Sequence, residues 1–477
     1  MRVAAPLILL TASVCATPLA AQESGPAETR LRQYIALVEQ GDPAAVEAYV
    51  DSAFSAELRA MPMERHVGFV MDLRLSSGGL DVERIQSDDG EVAVALVRKR
   101  LTDEWDALAV RVETEPPHRI SGIGGREPEV PAEAGTPVPA SDAERARRLE
   151  DYVERLCAAD VFSGSVLLAK RGKVLYSGAC GEANKDFGIP NRIDTKFNLG
   201  SMNKMFTAVA IAQLVGEGLL RFDDPLSKFL PEFPDPEAAK RIRIEHLLTH
   251  TSGLGSYFNE RFLEASRARF RTVDDLMALA EGDSLRFEPG SDWSYSNTGF
   301  LVLGKVIEVV TGQDYYDYVR EHIYEPVGMN GTDAYELDHV NPNLAVGYQR
   351  EWAADGTPRW RNNLFQHVIR GGPAGGGYST AGDLQLFAEA LLAGRLVGPS
   401  YVRTLTTAKP DISSPGYGYG FIVDEGGRVV GHSGGFPGIS SNLDIFPESG
   451  YVAVVLSNYG QASGPVRDRI RHLVAAR

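Results

Sequence analysis

The chain has 477 residues, of which 43% are hydrophobic and 23% are charged, and its formal net charge is -16. This length exceeds what one compact core usually holds, so two domains are expected. The acidic balance argues against a nucleic-acid partner and against electrostatic docking on an anionic membrane, because both need a basic protein face.

Residues 1–21 have the pattern of a secretory signal peptide. Arg2 supplies a positive charge, a short apolar stretch follows, and small residues precede a cleavage site predicted after Ala21. The alternative, a membrane anchor, is disfavoured because the apolar stretch is too short to cross a bilayer, and no other stretch reaches that length. We therefore expect a periplasmic or secreted protein without a membrane span.

Residues 22–125 are predicted to form one α+β domain. Apolar residues at helical spacing predict helices over 26–40, 42–54 and 63–75. Alternating or β-branched stretches predict strands over 80–86, 91–101, 105–114 and 118–123. This order resembles the NTF2-like (cystatin-like) cone, a layout that often holds a pocket. Residues 126–144, rich in Pro, Ala and Glu, are predicted to be an extended linker.

Residues 145–477 alternate helices and strands. A helix and a strand hairpin open this segment, strands and a final helix close it, and its middle is helical. The order suggests one antiparallel sheet assembled from both ends of the segment. Cys157 ends the first helix and Cys180 ends the hairpin, so a disulfide is sterically plausible, with two buried free thiols as the open alternative.

Ser201 and Lys204 are the strongest candidates for chemistry, three residues apart at the head of an apolar helix. Positions i and i+3 share a helix face, so the hydroxyl and the amine project together. A serine hydroxyl needs a base to become a nucleophile, and a lysine desolvated by burial has a lowered pKa that suits this role. The motif S-x-x-K is common, and by itself it also fits a capping serine and an ordinary lysine.

Tyr295 and Asn297 form a Y-x-N motif after a Pro-Gly loop and ahead of another apolar helix. The phenol can relay a proton, and the amide can hold a substrate carbonyl. A helix cap by Ser296 or Asn297 is the structural alternative, and both can hold at once.

The stretch GHSGG, residues 431–435, lies on a late predicted strand and matches the G-x-S-x-G nucleophile elbow of α/β-hydrolases, with Ser433 as the nucleophile. That interpretation is disfavoured because Pro437 and Gly438 stand where the helix after the elbow should begin. His246 and His250, at i and i+4, are also disfavoured as zinc ligands, because the glutamate of H-E-x-x-H and a third ligand are missing. No metal or other cofactor is expected.

S-x-x-K, Y-x-N and a strand with [KH]-[ST]-G, in this order, resemble the signature of the β-lactamase and penicillin-binding-protein superfamily. The likeness is to its class C-like branch, with its DD-peptidases and esterases, and landmarks of that branch are matched at 220–233, 242–254 and 371–392. The resemblance covers residues 145–477. It implies the α/β serine β-lactamase fold, with an antiparallel sheet from both ends of the segment, a helical subdomain between them, and the active site in the cleft.

The resemblance also implies a role for each matching residue. Ser201 would be the acylated nucleophile, and Lys204 and Tyr295 would share the general-base and proton-relay roles in an order that the sequence does not decide. The backbone N–H groups of Ser201 and Gly435 would form the oxyanion hole. The implied substrate contacts are Asn297, His432, Ser433 and Gly434.

His432 departs from the usual family pattern, which has a lysine facing the substrate carboxylate. A histidine with an ordinary pKa of about 6.5 is mostly neutral at pH 7 and binds an anion more weakly. We therefore expect a serine hydrolase acting through an acyl-enzyme on D-amino-acid peptides or amides, such as peptidoglycan stem peptides, or on small esters. A non-catalytic module that binds cell-wall peptides and a true β-lactamase are the alternatives.

Overall fold

The computed structural model describes residues 25–88, 90–126, 128–129, 139–280 and 284–475. The predicted signal peptide and most of the predicted linker lie outside the described residues. Within the described ranges, no helix is long and apolar enough to cross a membrane.

The N-terminal domain packs helices against an antiparallel sheet. Its helices are α1 (Pro26–Gln40), α2 (Pro43–Ala53), α3 (Ala56–Arg59) and α4 (Met63–Ser77). Its strands are β1 (Leu80–Asp88), β2 (Val92–Lys99), β3 (Trp105–Val112) and β4 (Ile120–Arg126), which pair in that order. The predicted order of helices followed by an antiparallel sheet is confirmed. The NTF2-like resemblance stays a prediction.

Local sequence explains where these helices begin and end. The side chain of Asp42 caps α2 by accepting a hydrogen bond from Ala44 N at 3.0 Å, and Pro43 occupies the first helical position, where its missing N–H costs nothing. α1 ends at Gly41, whose φ of 63° is left-handed and favours glycine.

The second domain contains the remaining elements. Its first half comprises α5 (Asp142–Ala158), β5 (Gly164–Lys170), β6 (Lys173–Cys180), β7 (Glu182–Asn184), β8 (Ile189–Pro190), β9 (Phe197–Asn198), α6 (Asn203–Gly216), α7 (Pro236–Arg241), α8 (Ile244–Leu248), α9 (Glu260–Glu264), α10 (Val273–Met277) and α11 (Asn297–Thr311). Its second half comprises α12 (Tyr315–Val319), α13 (Glu325–Val327), β10 (Tyr348–Trp352), β11 (Pro358–Asn362), β12 (Tyr378–Ser379), α14 (Ala381–Leu392), α15 (Pro399–Leu405), β13 (Ile422–Asp424), β14 (Val429–Phe436), β15 (Ile439–Phe446), β16 (Tyr451–Ser457) and α16 (Ser463–Ala475).

Both ends of this domain build its central sheet, in the order β13-β14-β15-β16-β5-β6 with every neighbour antiparallel. Residues of α5 and α16 pack in one cluster with β5 and β16, and the helices around α6 form the larger core with the sheet and the helical subdomain. The predicted fold class, an antiparallel sheet from both termini plus a helical subdomain, is confirmed.

The second domain opens with α5, which begins at Asp142. Ser141 caps this helix by accepting a hydrogen bond from Glu144 N at 3.2 Å. The structure also contains the disulfide that the sequence left open. Cys157 and Cys180 are bonded, with their Cα atoms 6.1 Å apart, which ties the end of α5 to the end of β6.

The β10–β11 hairpin joins the two domains. Trp352 packs against the N-terminal core, and its indole Nε1 donates to Asp72 Oδ1 at 3.1 Å. A second contact lies at the β2–β3 turn, where the Tyr152 hydroxyl donates to the Glu104 carboxylate at 3.0 Å. The N-terminal domain is therefore held against the hairpin and α5 by the partly buried Trp352 and the buried Tyr152, each of which also makes a polar contact.

Candidate active site

Ser201 lies in a 3₁₀ turn, Gly200–Met202, that leads directly into α6. The turn packs on β14, since a Cβ on Gly200 would lie only 2.8 Å from Gly435 N. This close approach brings the backbone of Ser201 beside the exposed Gly435, where the sequence predicts the oxyanion hole. The prediction put Ser201 at the head of a buried helix, and the structure places it one turn earlier.

Lys204 is completely buried in the first turn of α6. Its Nζ lies 2.8 Å from Asn297 Oδ1, 2.6 Å from Ala374 O and 3.2 Å from Ser201 Oγ. Burial lowers the pKa of Lys204 well below its usual 10.5. A neutral amine has two N–H donors and one lone pair. In its neutral form, Lys204 can therefore donate to the two carbonyl oxygens and keep its lone pair for the hydroxyl of Ser201.

Tyr295 borders the same site, with Lys204 Nζ 4.8 Å from its ring centroid. Burial raises the pKa of Tyr295 to about 12, although a side-chain hydrogen bond with Ser201 opposes this shift. The phenol is therefore protonated at neutral pH. Burial has the opposite effect on the neighbouring Lys204, because it favours the neutral amine.

The start of α11 positions Asn297. The side chain of Ser296 caps the helix by accepting from Gly299 N at 2.9 Å, and its hydroxyl donates to Gly255 O at 2.8 Å. This leaves the side chain of Asn297 free of capping, and its Nδ2 donates to Ser256 Oγ at 3.2 Å while its Oδ1 faces Lys204. Of the two predicted capping residues, Ser296 is the cap.

His432 is buried on β14 and makes two hydrogen bonds. Its Nδ1 lies 2.5 Å from the carbonyl oxygen of Ser433, and its Nε2 lies 2.8 Å from the hydroxyl of Tyr417. A carbonyl oxygen only accepts, so Nδ1 carries the proton and Tyr417 donates to Nε2. Burial, with the nearby Lys204 as a second cause, lowers the pKa of His432 to about 3. The imidazole is therefore neutral at pH 7, as the sequence predicts. Its pKa is lower than the ordinary value of about 6.5 on which that prediction rested.

His250 supports the site from behind. Its Nδ1 accepts from Ser296 N at 3.0 Å, and its ring centroid lies 4.3 Å from that of Tyr295 and 4.6 Å from that of Tyr417. The partner of His246 Nδ1 is likewise a backbone N–H. Both histidines thus have structural partners, and neither belongs to the group of potential metal ligands found among the described residues. That group is Glu336, Asp338 and His339.

Ser433 is not on a nucleophile elbow. β14 runs through it to Phe436 and turns directly into β15, with no helix after the serine. Ser433 borders the cleft, whereas Gly434, predicted as a substrate contact, lies under the Ser201 turn. A Cβ on Gly434 would lie 1.9 Å from Leu199 O, so its role in the structure is close packing.

Two cavities flank Ser201 and share it with Tyr295 and Gly435. The smaller, about 250 Å³, is walled mainly by aromatic and apolar side chains, and the larger, about 640 Å³, reaches His432 and Ser433. The other side chains of the smaller wall include Tyr257, Phe258, Phe262, Asn297, His367, Val368, Phe436 and Ile439. Those of the larger include Trp293, Pro415, Tyr417 and Ile422. Sequence reasoning missed Tyr417 and His367, which lie in segments without a motif. It also missed Ala374, which lies within the landmark at 371–392 but contributes through its backbone oxygen.

A buried lysine beside a serine, in a cleft between helices and a sheet built from both ends of the domain, defines a serine hydrolase with the serine β-lactamase fold. The sequence agrees with this class. The family described as Beta-lactamase matches residues 146–476, and the chain belongs to that family.

Penicillin-binding proteins and an amidohydrolase are among its relatives. The putative penicillin-binding protein PbpX of Bacillus subtilis (strain 168) is 32% identical over 335 residues, which cover 69% of this chain and 79% of that protein. A penicillin-binding protein from Bacillus halodurans is 30% identical, with a TM-score of 0.61, over 68% of this chain and 99% of that structure. A D-stereospecific amidohydrolase from Streptomyces sp. is 28% identical, with a TM-score of 0.57, over 71% of this chain and 100% of that structure.

Proposed function

We propose that this protein is an exported hydrolase that forms an acyl-enzyme on Ser201 and cleaves D-amino-acid peptides, amides or small esters. The observation that carries the proposal is the Lys204 amine, whose Nζ lies within hydrogen-bond distance of Asn297 Oδ1, Ala374 O and Ser201 Oγ. Similarity to a D-stereospecific amidohydrolase supports the amide substrates. The signal-peptide pattern and the disulfide support export to the periplasm or the medium.

In the acylation step, Lys204 accepts the proton of Ser201 as Oγ attacks the substrate carbonyl carbon. The electron pair of the carbonyl bond moves to its oxygen, which the backbone N–H groups of Ser201 and Gly435 stabilise by about 3 kcal/mol per donor. Tyr295 is protonated and suits the next task, protonation of the leaving nitrogen or oxygen as its bond to carbon breaks. The proton on Lys204 then returns to Tyr295.

Deacylation uses the same groups with water as the nucleophile. The neutral amine of Lys204, acting directly or through Tyr295, takes a proton from water, and the hydroxide attacks the ester of the acyl-enzyme. Oγ leaves and regains a proton, which releases the acid and restores the free enzyme.

A true β-lactamase and a non-catalytic binding module are less well supported. The neutral, buried His432 offers no positive charge to the carboxylate of a β-lactam. A binding module needs no base beside its serine. Lys204 is nevertheless buried next to the hydroxyl of Ser201, at a cost in desolvation free energy, and a lysine with a strongly lowered pKa in a cleft is typical of a catalytic site.

The test is to label the protein with a fluorophosphonate and to locate the adduct by peptide mass spectrometry. We expect the adduct on Ser201, and we expect Ser201→Ala to lower the hydrolysis of a p-nitrophenyl ester by at least about 10³-fold. Ser433→Ala should keep a substantial part of the activity. An adduct on Ser433, or equal loss in both variants, would refute the assignment. A folded protein that neither reacts nor hydrolyses would favour the binding module.

A further inference from the structure

The walls of both cavities beside Ser201 are uncharged. In the described part of the chain, no Asp, Glu, Lys or Arg lines either cavity. The histidine of the smaller wall, His367, is buried, and burial lowers its pKa to about 4. Lys204 is not among the lining residues, and its Nζ already contacts Asn297 Oδ1, Ala374 O and Ser201 Oγ. A charged substrate group would therefore lose water in these cavities without gaining a counter-ion.

The smaller cavity has an aromatic wall. The ring of Phe258 lies 5.8 Å from that of Phe436 and 4.8 Å from that of Phe262, measured between centroids. The ring of His367 lies 5.4 Å from that of Phe436. These rings come from the loop before α9, from α9, from the end of β14 and from the loop after β11, so four separate segments converge on one apolar surface.

The size of this cavity suits one ring. Its volume is about 250 Å³, and an apolar cavity of roughly 150 Å³ in another protein accommodates benzene. The space left over matches a short link to the carbonyl group held at Ser201. Aromatic rings favour aromatic partners in offset or edge-to-face contact, which the surrounding rings can provide.

The two cavities differ in how they can serve the two halves of a substrate. The acyl group stays bonded to Ser201 through both chemical steps, so it gains most from a small, closely walled cavity. The leaving group departs after acylation, and the larger cavity of about 640 Å³ gives it an exit past Tyr295 and Trp293. The smaller cavity is thus the better site for the acyl group.

We propose that the smaller cavity is an acyl-group site and that the enzyme prefers uncharged esters or amides that carry one aromatic ring on the acyl side. This inference rests on the proposed function of Ser201, and it narrows the range of substrates. It disfavours acyl groups with a free carboxylate or ammonium, for which the walls offer no partner.

Methyl phenylacetate and benzyl acetate are isomers that test the inference directly, because the ring lies on the acyl side in the first and on the leaving side in the second. We expect kcat/KM for methyl phenylacetate to exceed that for methyl acetate by at least about tenfold, as is typical of a well-filled apolar pocket. Benzyl acetate should gain clearly less. Methyl hydrogen succinate, whose acyl group is anionic, should not exceed methyl acetate.

Variants of the wall provide the second readout. Phe258→Ala and Phe436→Ala should each lower the ratio of kcat/KM for methyl phenylacetate to that for methyl acetate by at least about fivefold. The ratio corrects for a general loss of activity, and labelling of Ser201 by a fluorophosphonate reports that the site is intact. Phe187→Ala removes an exposed ring that lines neither cavity, and it should leave the ratio unchanged.

The outcomes separate this inference from the function on which it rests. If Ser201 is labelled but methyl phenylacetate shows no advantage, or benzyl acetate or methyl hydrogen succinate is the better substrate, the acyl-site inference is wrong and the hydrolase assignment stands. An unchanged ratio in both wall variants would also overturn it. If Ser201 is neither labelled nor active on any ester, both proposals fail.

Discussion

Replacement of Lys204 by methionine tests the base directly, because methionine keeps an unbranched apolar side chain and removes the amine. The Nζ atom lies 3.2 Å from Ser201 Oγ, which is within reach for direct proton transfer. General-base catalysis typically contributes about 10²- to 10⁴-fold, or about 3 to 5 kcal/mol of transition-state stabilisation. We expect Lys204→Met to lower kcat/KM for a small ester by that factor.

The same lysine predicts a pH dependence of activity. Only the neutral amine accepts the proton of Ser201, so kcat/KM of the natural enzyme should rise with pH through the lowered pKa of Lys204 and reach a plateau well below pH 10.5. Tyr295 keeps its proton until about pH 12, so it sets no limit within the usual range. A profile of kcat/KM between pH 5 and 10 measures this rise, which Lys204→Met should lack.

The pH dependence of the free energy of unfolding tests the lowered pKa of Lys204 independently of activity. Below about pH 10.5 the unfolded chain binds a proton at Lys204 that the folded protein does not, because burial lowers the folded pKa. The free energy of unfolding therefore falls as pH decreases, by about 1.3 kcal/mol per pH unit, until the folded pKa is reached. Lys204→Met lacks this contribution, so its stability relative to the natural protein should improve between pH 9.5 and 8.5, by up to about 1.3 kcal/mol.

Urea unfolding at the two pH values measures this difference, provided the slope with denaturant is unchanged. Lys173→Met, at an exposed position of β6, is the matched control for removal of a lysine. Comparison of relative stabilities also removes the constant cost of leaving Asn297 Oδ1 and Ala374 O without their donor. A difference that stays constant from pH 9.5 to 8.5 would mean that Lys204 is charged in the folded protein, and the base assignment would be wrong.

Two further changes test the frame of the site. Cys157→Ser with Cys180→Ser should lower the free energy of unfolding by about 3 kcal/mol, from the loop entropy of a sequence separation of 23, and a loss below about 1 kcal/mol in urea would contradict this. Gly434→Ala would place a Cβ 1.9 Å from Leu199 O and displace the Ser201 turn, so kcat should fall at least about 10²-fold. The control is Gly464→Ala, which has open space around it and should keep the natural kcat. Natural kcat in Gly434→Ala would show that the close approach is dispensable.

The parts of the site that the sequence predicted share a physical basis, which is local structure. Ser201 and Lys204 meet because a turn and the first turn of α6 bring positions three apart together. Tyr295 and Asn297 flank a helix start whose cap, Ser296, is visible in the sequence. That one antiparallel sheet draws on both ends of the domain could be predicted, because both ends contain predicted strands while the middle is helical.

The parts that the sequence did not predict depend on contacts between distant segments. Ala374 O, which takes one donor of Lys204, comes from a glycine-rich loop 170 residues away, and nothing in that loop marks it as a partner. The hydroxyl of Tyr417 lies 2.8 Å from Nε2 of His432, a contact between two separate segments. The sequence alone assigned His432 an ordinary pKa, whereas burial, with the nearby Lys204 as a second cause, lowers that pKa to about 3.

The glycines around Ser201 let neighbouring main chain pack closely on the serine turn. A Cβ on Gly434 would lie 1.9 Å from Leu199 O, and a Cβ on Gly375 would lie 2.7 Å from Gly200 O. Backbone contacts therefore fix the position of this turn. The aromatic wall of the smaller cavity includes Phe258, which is 40% exposed. Substitutions there can therefore change the acyl preference without moving Ser201 or Lys204, which makes the chemistry and the selectivity of this enzyme separable.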